Sequence, residues 1–344
     1  MKPATATNVK KTAYPSALSI SELISAYPRE RLFVHPLLWT RRHLGLLGCE
    51  FSDDGILSPP PSPTTVLPSP THNQSGIGND NKATWVERHF AEQYSDTNKA
   101  RCLATSERLH DKCWSLTQLL KEFECYRDQV RFRFACRVVA NLPCKYLALS
   151  SQSPSPRRGL AQLGYLHLAE LARHRRIKLS RRSNNLGPPN PQDLHYIQKQ
   201  LRLLTPNNRY EDPYLVALLI ALAQKQAQGQ RLGDRDRDNI NDDDARHKLF
   251  GGATNVSSQM LLVTSPGDTT WLHIYTSNIS PEFLDKLDRP SRPSRPPPAD
   301  TDTQSRLGMV ISHRRLAFEP YGTLSQRLTA VVQQTIGKDG YVNG

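Results

Sequence analysis

No apolar run in this chain is long enough to cross a bilayer. The longest, Tyr214 to Ala223, is about half of the roughly 20 residues that a membrane helix needs, so no membrane partner is expected. The N-terminus is poor in signals of export. No apolar stretch follows Lys2, Lys10 and Lys11, and Met1 to Ser21 lacks the arginines of a transit peptide although it has no acid before Glu22. With no secretory route expected, the sequons at Asn73, Asn255 and Asn278 are expected to stay unglycosylated. By the same reasoning Cys49, Cys102, Cys113, Cys125, Cys136 and Cys144 are expected as reduced thiols.

Catalytic and cofactor motifs are missing too. There is no G-x-S-x-G to present a nucleophilic serine, no G-x-x-x-x-G-K-[ST] or G-x-G-x-x-G to cradle phosphates, and no H-E-x-x-H. No close cysteine pair of the C-x-x-C kind occurs. Cys102, Cys113, Cys125 and Cys136 recur at about three helical turns, which predicts packing residues near one helix face rather than metal ligands. Asp234, Asp236 and Asp238 have the spacing of a calcium loop. However, Asn239 stands where the sharp turn needs glycine, Ala245 stands where a bidentate glutamate belongs, and Arg235 and Arg237 lie between the acids. No catalytic residue, metal or cofactor is assigned.

Apolar residues are scarce, at 37% of the 344, and prolines number 26, which predicts one modest core with linkers rather than two full domains. Short helical segments are expected over residues 1–57, including Ser19 to Tyr27 and an apolar patch from Phe33 to Leu47. The Pro/Ser tract at 58–83, with Ser58, Ser62 and Ser69 before prolines, is expected to be disordered. A helical region is expected over 84–182, from Leu109, Cys113, Leu116, Leu120, Phe123, Val130 and Phe134 at three- and four-residue steps and from Leu160 to Leu171. Ser150 to Pro156 reads as a linker within it.

What the chain does have begins at Asp212. Asp212 can cap a helix, Pro213 suits its first position, and Tyr214 to Ala223 is apolar on every side, so this helix must lie inside a core. Around it, over 193–344, an α+β core is expected. Asp193 opens a helix with Leu194, Ile197, Leu201 and Leu204 as its apolar stripe. Gln259 to Thr264, Thr270 to Thr276 and Leu307 to Ser312 read as strands, with Arg315 to Phe318 as a further strand candidate. Ser280 with Pro281 opens one helix and Thr323 opens the last. Inserts at 233–248 and 289–305 are expected to be disordered. The fold class is thus α+β: a mainly helical N-terminal part and a small C-terminal sheet of about three strands on a buried apolar helix.

The formal net charge is +13, which attracts polyanions. Its densest concentration is Arg173, Arg175, Arg176, Lys178, Arg181 and Arg182. Arginines pair bidentately with anions, so this segment suits phosphate or an import receptor, and as exposed charges they are expected to contribute little to stability. The competing explanation is a solvated helix end whose cations complement the dipole. The segment contains no aromatic residue, which predicts sequence-indifferent contact without base stacking.

The segments "EDPYLVALLIALAQ", "LLVTSPGDTTWLHIYTSNISPEFLDKLDRPS" and "ISHRRLAFEPYGTLSQRL" carry a resemblance. From about Tyr210 onward the chain resembles an uncharacterised family of intracellular proteins of filamentous fungi. The resemblance implies a source and no chemistry. The expectation is a non-enzymatic interaction protein of cytoplasm or nucleus, with an unidentified protein partner and weak, non-specific contact to nucleic acid. The competing expectation is an inactive or divergent relative of restriction-endonuclease-like enzymes, from the order helix, strand, strand, strand, helix. That chemistry needs converging carboxylates and a lysine, whereas the strands offer His273, Ser312, His313, Arg314 and Arg315, with Asp268 on a turn. His273 itself, between Leu272 and Ile274, is expected to point away from them as a hydrogen-bonded or exposed surface residue.

Overall fold

The computed structural model describes residues 18–28, 30, 34–57, 95–126, 130–149, 162–183, 191–235, 257–292 and 308–337. The first half of the chain contains α1 (Ile20–Ala26), α2 (Arg41–Leu47), β1 (Cys49–Ile56), α3 (Asp96–Thr105), α4 (Leu109–Leu119), β2 (Phe123–Tyr126), β3 (Val130–Phe134), β4 (Arg137–Leu142), β5 (Lys145–Leu149) and β6 (Gln162–His167). The second half contains α5 (Leu168–Ser183), α6 (Pro191–Leu204), α7 (Pro213–Arg235), β7 (Ser257–Thr264), β8 (Trp271–Ile279), α8 (Pro281–Asp288), β9 (Met309–Ala317) and α9 (Leu324–Gly337). Seven strands form one sheet in the order β1-β9-β8-β7-β6-β5-β2, and β3 and β4 form a separate hairpin. The pairs β1–β9 and β6–β7 are parallel and the other neighbours antiparallel. It follows that β1, β9, β7 and β6 all run the same way, with their carboxyl ends at one edge of the sheet.

Strand alternation sends successive side chains to opposite faces, and both faces are covered. On β8, Leu272 and Ile274 join Leu103, Leu116, Leu324 and Leu328 from α3, α4 and α9. Tyr275 and Ile279 turn the other way, toward α7 and the β3–β4 hairpin. The helix α7 is the centre of that second layer. Asp212 caps it, its Oδ1 accepting from the Tyr214 N–H at 2.9 Å, and every residue from Tyr214 to Ala223 is fully buried. Each large side chain in that run contributes about 1.5–3 kcal/mol by leaving water.

Two details fit α7 to its surroundings. Gly164 on β6 has no side chain where a Cβ would come within 2.8 Å of Leu261 and 3.1 Å of Leu222, so the helix can approach the strand closely. Gln224 stands beside β3 and pairs with the backbone of Arg133 in both directions. Its Oε1 accepts from the Arg133 N–H at 2.9 Å and its Nε2 donates to the Arg133 carbonyl at 3.0 Å. One flank of β3 is thus paired with β4 and this point on the other with a side-chain amide, which keeps buried backbone groups bonded.

The α+β class holds, but the sheet is larger than the expected small C-terminal one of about three strands. Those three are β7, β8 and β9, with Arg315 and Leu316 inside β9 rather than in a separate strand. The other four come from the part expected to be helical, as do β3 and β4. In 84–182 only α3, α4 and α5 are helices among the described residues. Val130, Phe132 and Phe134 satisfy a period of two as well as a step of four, and the barrier to a single helix is the Ala135–Cys136 turn, whose φ values are 49° and 61°. Likewise residues 1–57 hold the strand β1 besides helical segments, and Gln162 to His167 is β6 rather than helix. The 84–182 and 193–344 segments share one sheet, so they are not separate units. Cys102, Cys113, Cys125 and Cys136 lie on α3, α4, β2 and the hairpin tip and do not share a helix face; all six described cysteines are free. The tracts at 58–83 and 150–156 and most of 233–248 and 289–305 lie outside the described residues, while α7 runs on to Arg235.

Candidate functional site

The basic segment forms α5. Leu168, Leu171, Arg175 and Leu179 recur at steps of three and four and form its buried side. Arg175 is therefore enclosed, with 3% of its surface exposed. Its guanidinium donates to both carboxylate oxygens of Asp212, at 2.6 and 2.7 Å, and its Nε donates to the Leu37 carbonyl at 2.9 Å. Arg175 is thus part of the core, which corrects its assignment to a polyanion site. Arg173 is half-exposed and pairs with Glu170 at 2.7 Å. Arg176 is exposed and Lys178 half-buried, and neither makes an ion pair among the described residues. The side chains of Arg181 and Arg182 lie outside the described residues.

A second concentration of ionisable groups lies at the carboxyl edge of the parallel strands. Asp268, on the turn before β8, accepts from the Thr270 and Trp271 N–H groups at 3.1 Å each and from the Tyr210 hydroxyl at 2.8 Å. His273 Nε2 lies 3.0 Å from Asp268 Oδ2, and His273 Nδ1 lies 3.0 Å from His313 Nε2 on β9. An ionised carboxylate only accepts, so a neutral His273 donates through Nε2 and accepts at Nδ1. His313 must then donate through Nε2 and is left with an acceptor at Nδ1. The rings are stacked: Tyr210 on His273 at 3.9 Å, and Tyr275 on His313 at 4.6 Å.

Electrostatics keep both imidazoles neutral. Burial holds His273 below its usual range, against the pull of Asp268, and the nearby Arg315 and Arg209 push the same way as burial. Burial, then His273, lowers His313 to about 4. Asp268 stays below the carboxylate range: burial would raise it, but the hydrogen bonds from His273, Tyr210 and two backbone N–H groups outweigh that. The expected surface position of His273 is thus corrected. It does point away from Leu272 and Ile274, but into a filled layer, with 1% exposure.

Further along the same edge, β1 contributes Asp53 and Asp54. Asp53 faces Arg315 at 3.5 Å, and Asp54 faces Arg314 at 3.5 Å while accepting from the Ser312 and Ser52 hydroxyls. The Ser312 bond is the main reason the Asp54 carboxyl is held low. Among the described residues no lysine pairs with these carboxylates. Among the described residues no group of three or more His, Cys, Asp and Glu is placed to hold a metal, and no helix is long and apolar enough to cross a membrane. The thiols of buried Cys49 and of half-buried Cys113 and Cys144 are pushed up to about 12 by desolvation, far from the reactive thiolate range.

Chemically, the edge holds its acids and bases in internal pairs. The Asp268–His273–His313 chain ties the β7–β8 turn to β8 and β9, and Tyr210 ties it to the start of α7. It was not legible as a unit, because it depends on the register that sets Tyr275 opposite His313. No family model, curated protein or solved structure matches this chain.

Proposed function

We propose that this is a non-enzymatic intracellular interaction protein, of cytoplasm or nucleus, that contacts polyanions weakly and without sequence preference through the outer side of α5. The observation that carries the proposal is the contrast within the cations. Arg175 is enclosed on Asp212, whereas Arg176 stands exposed without an internal counter-charge among the described residues. Arg173 and Lys178 flank it, and Arg181 and Arg182 follow in sequence. The resemblance from Tyr210 onward to an uncharacterised fungal family belongs to this proposal as its expected source.

The test is binding of the full chain to labelled heparin and to unrelated DNA duplexes. Replacing Arg173, Arg176, Lys178, Arg181 and Arg182 by alanine should weaken all of them alike, and wild-type binding should fall steeply with salt because each neutralised phosphate releases counterions. Equal binding by wild type and variant, or a strong preference for one duplex, refutes the proposal.

A second reading, an inactive or divergent relative of restriction-endonuclease-like enzymes, is favoured by the placement of Asp53 and Asp54 at the carboxyl end of β1 beside β9. Each meets an arginine where that chemistry needs a lysine and a free carboxylate. Plasmid cleavage with magnesium or manganese that Asp53→Asn together with Asp54→Asn abolishes would replace the first reading with an active enzyme.

A further inference from the structure

We propose that the outer side of α6 is a docking surface for an acidic, amphipathic segment of a protein partner. The inference rests on the interaction-protein reading and names the chemistry of its protein partner. The helix α6 buries Ile197 and Leu204 against Leu38 and Leu179, which fixes the side it turns to solvent. On that side Tyr196 is 49% and Leu203 65% exposed. Tyr196, Lys199 and Leu203 recur at i, i+3 and i+7 and so line up along one stripe. His195 and Arg202 lie alongside, both exposed. Asp193, in the first turn, is the one acid in α6. Lys199 and Arg202 make no ion pair among the described residues.

The surface therefore offers two apolar anchors with cations between and beside them, and those cations have no paired counter-charge among the described residues. Its complement is a helix bearing apolar residues at the same spacing with carboxylates around them, the arrangement by which amphipathic segments dock on partner faces. Leu203 decides between a protein and a nucleic acid. A phosphate backbone gains nothing by covering an aliphatic side chain, whereas an apolar partner residue does. Tyr196, an aromatic body with a polar tip, suits the centre of such a contact.

The probe is a synthetic helical peptide with leucines at i, i+3 and i+7 and glutamates at the remaining outward positions. It is compared with a scrambled peptide of identical composition, oligo-dT and heparin, all against the full chain. The ordered peptide should bind at least about tenfold more tightly than the scrambled one. Tyr196→Ser and Leu203→Ser should each weaken it by about tenfold while leaving the melting temperature and heparin binding unchanged, because both side chains are exposed. Equal binding of the two peptides, or no effect of Leu203→Ser, overturns the proposal. Tighter binding of oligo-dT that needs Tyr196 but not Leu203 overturns it in favour of single-stranded nucleic acid. If the α5 variant loses heparin while neither peptide binds, docking on α6 fails and polyanion contact stands. If the ordered peptide binds and heparin does not, polyanion contact fails and the docking surface stands.

Discussion

Arg175 and Asp212 close on each other through two parallel hydrogen bonds of 2.6 and 2.7 Å, and both are all but excluded from water. Asp212 serves at the same time as the cap of α7. One carboxylate thus satisfies the first turn of the central helix and the guanidinium of the helix α5 beside it. Arg175→Ala would leave Asp212 buried without its counter-charge, at a cost of about 3–5 kcal/mol, a large part of the 5–15 kcal/mol that holds a typical domain together. Arg175→Lys would lose the paired geometry and the Leu37 bond, so it should recover little. Arg176→Ala, one residue on but exposed, should melt with wild type. Thermal melts of the three variants test this; an unaltered Arg175→Ala curve would remove Arg175 from the core.

The stacked histidines predict a loss of stability in mild acid. Below about pH 6.5 an unfolded histidine takes up a proton, while folded His313 resists until about 4 and His273 is depressed in the same direction. Stability should therefore be full above about pH 6.5 and decline as pH falls toward about 4, because the unfolded state binds more protons across that window. Asp268, also held low, adds its own loss only below the ordinary carboxylate range. Urea midpoints at several pH values check this, and His313→Asn should flatten the decline. A midpoint constant from neutrality to mild acid would show that the imidazoles are not protected as described.

Close approach of α7 to β6 depends on Gly164. In Gly164→Ala the new methyl would press on Leu261, Leu222 and the Cys144 sulfur at 2.8, 3.1 and 3.2 Å, and the first two are fully buried with nowhere to move freely. Overpacking of this kind costs about 1–3 kcal/mol. Chemical denaturation should show it, and Leu222→Val in the same chain should recover part of the loss by giving the methyl room.

At the β3–β4 tip a substitution should stabilise. Ala135 and Cys136 both hold positive φ, 49° and 61°, a region glycine enters freely and other residues at a cost of roughly 1–2 kcal/mol. Cys136→Gly should raise stability by up to about 1 kcal/mol, offset by loss of the long 3.5 Å contact from its sulfur to the Asp288 carbonyl. A lower melting temperature for Cys136→Gly would mean that this contact outweighs the backbone relief.

How much was legible depended on whether the cue was local. The buried helix α7, its Asp212 cap, the Ser280 cap of α8 and the strands β7 to β9 follow from short-range patterns, and all are present. The strands β2 to β6 were hidden because they are short and their apolar residues alias with helical steps. Arg175 did carry a usable signal: it occupies the place of a leucine in the series Leu168, Leu171, Arg175, Leu179. Reading the segment by its charge alone concealed that. The Asp268–His273–His313 chain had no such signal, since its members meet only through strand register.

Among the described residues the strand β1 pairs with β9 alone, Cys49 opposite Met309, although most of the chain lies between them. During synthesis β1 leaves the ribosome long before β9 exists. Closing so long a loop is slow, and until then an unpaired edge is open to misassociation and to chaperones. The order of assembly should therefore differ from the order of synthesis, with the local β7–β8–β9 meander forming first and the earliest strand seated last. Pulse-labelled hydrogen exchange during refolding should show protection in β8 before β1.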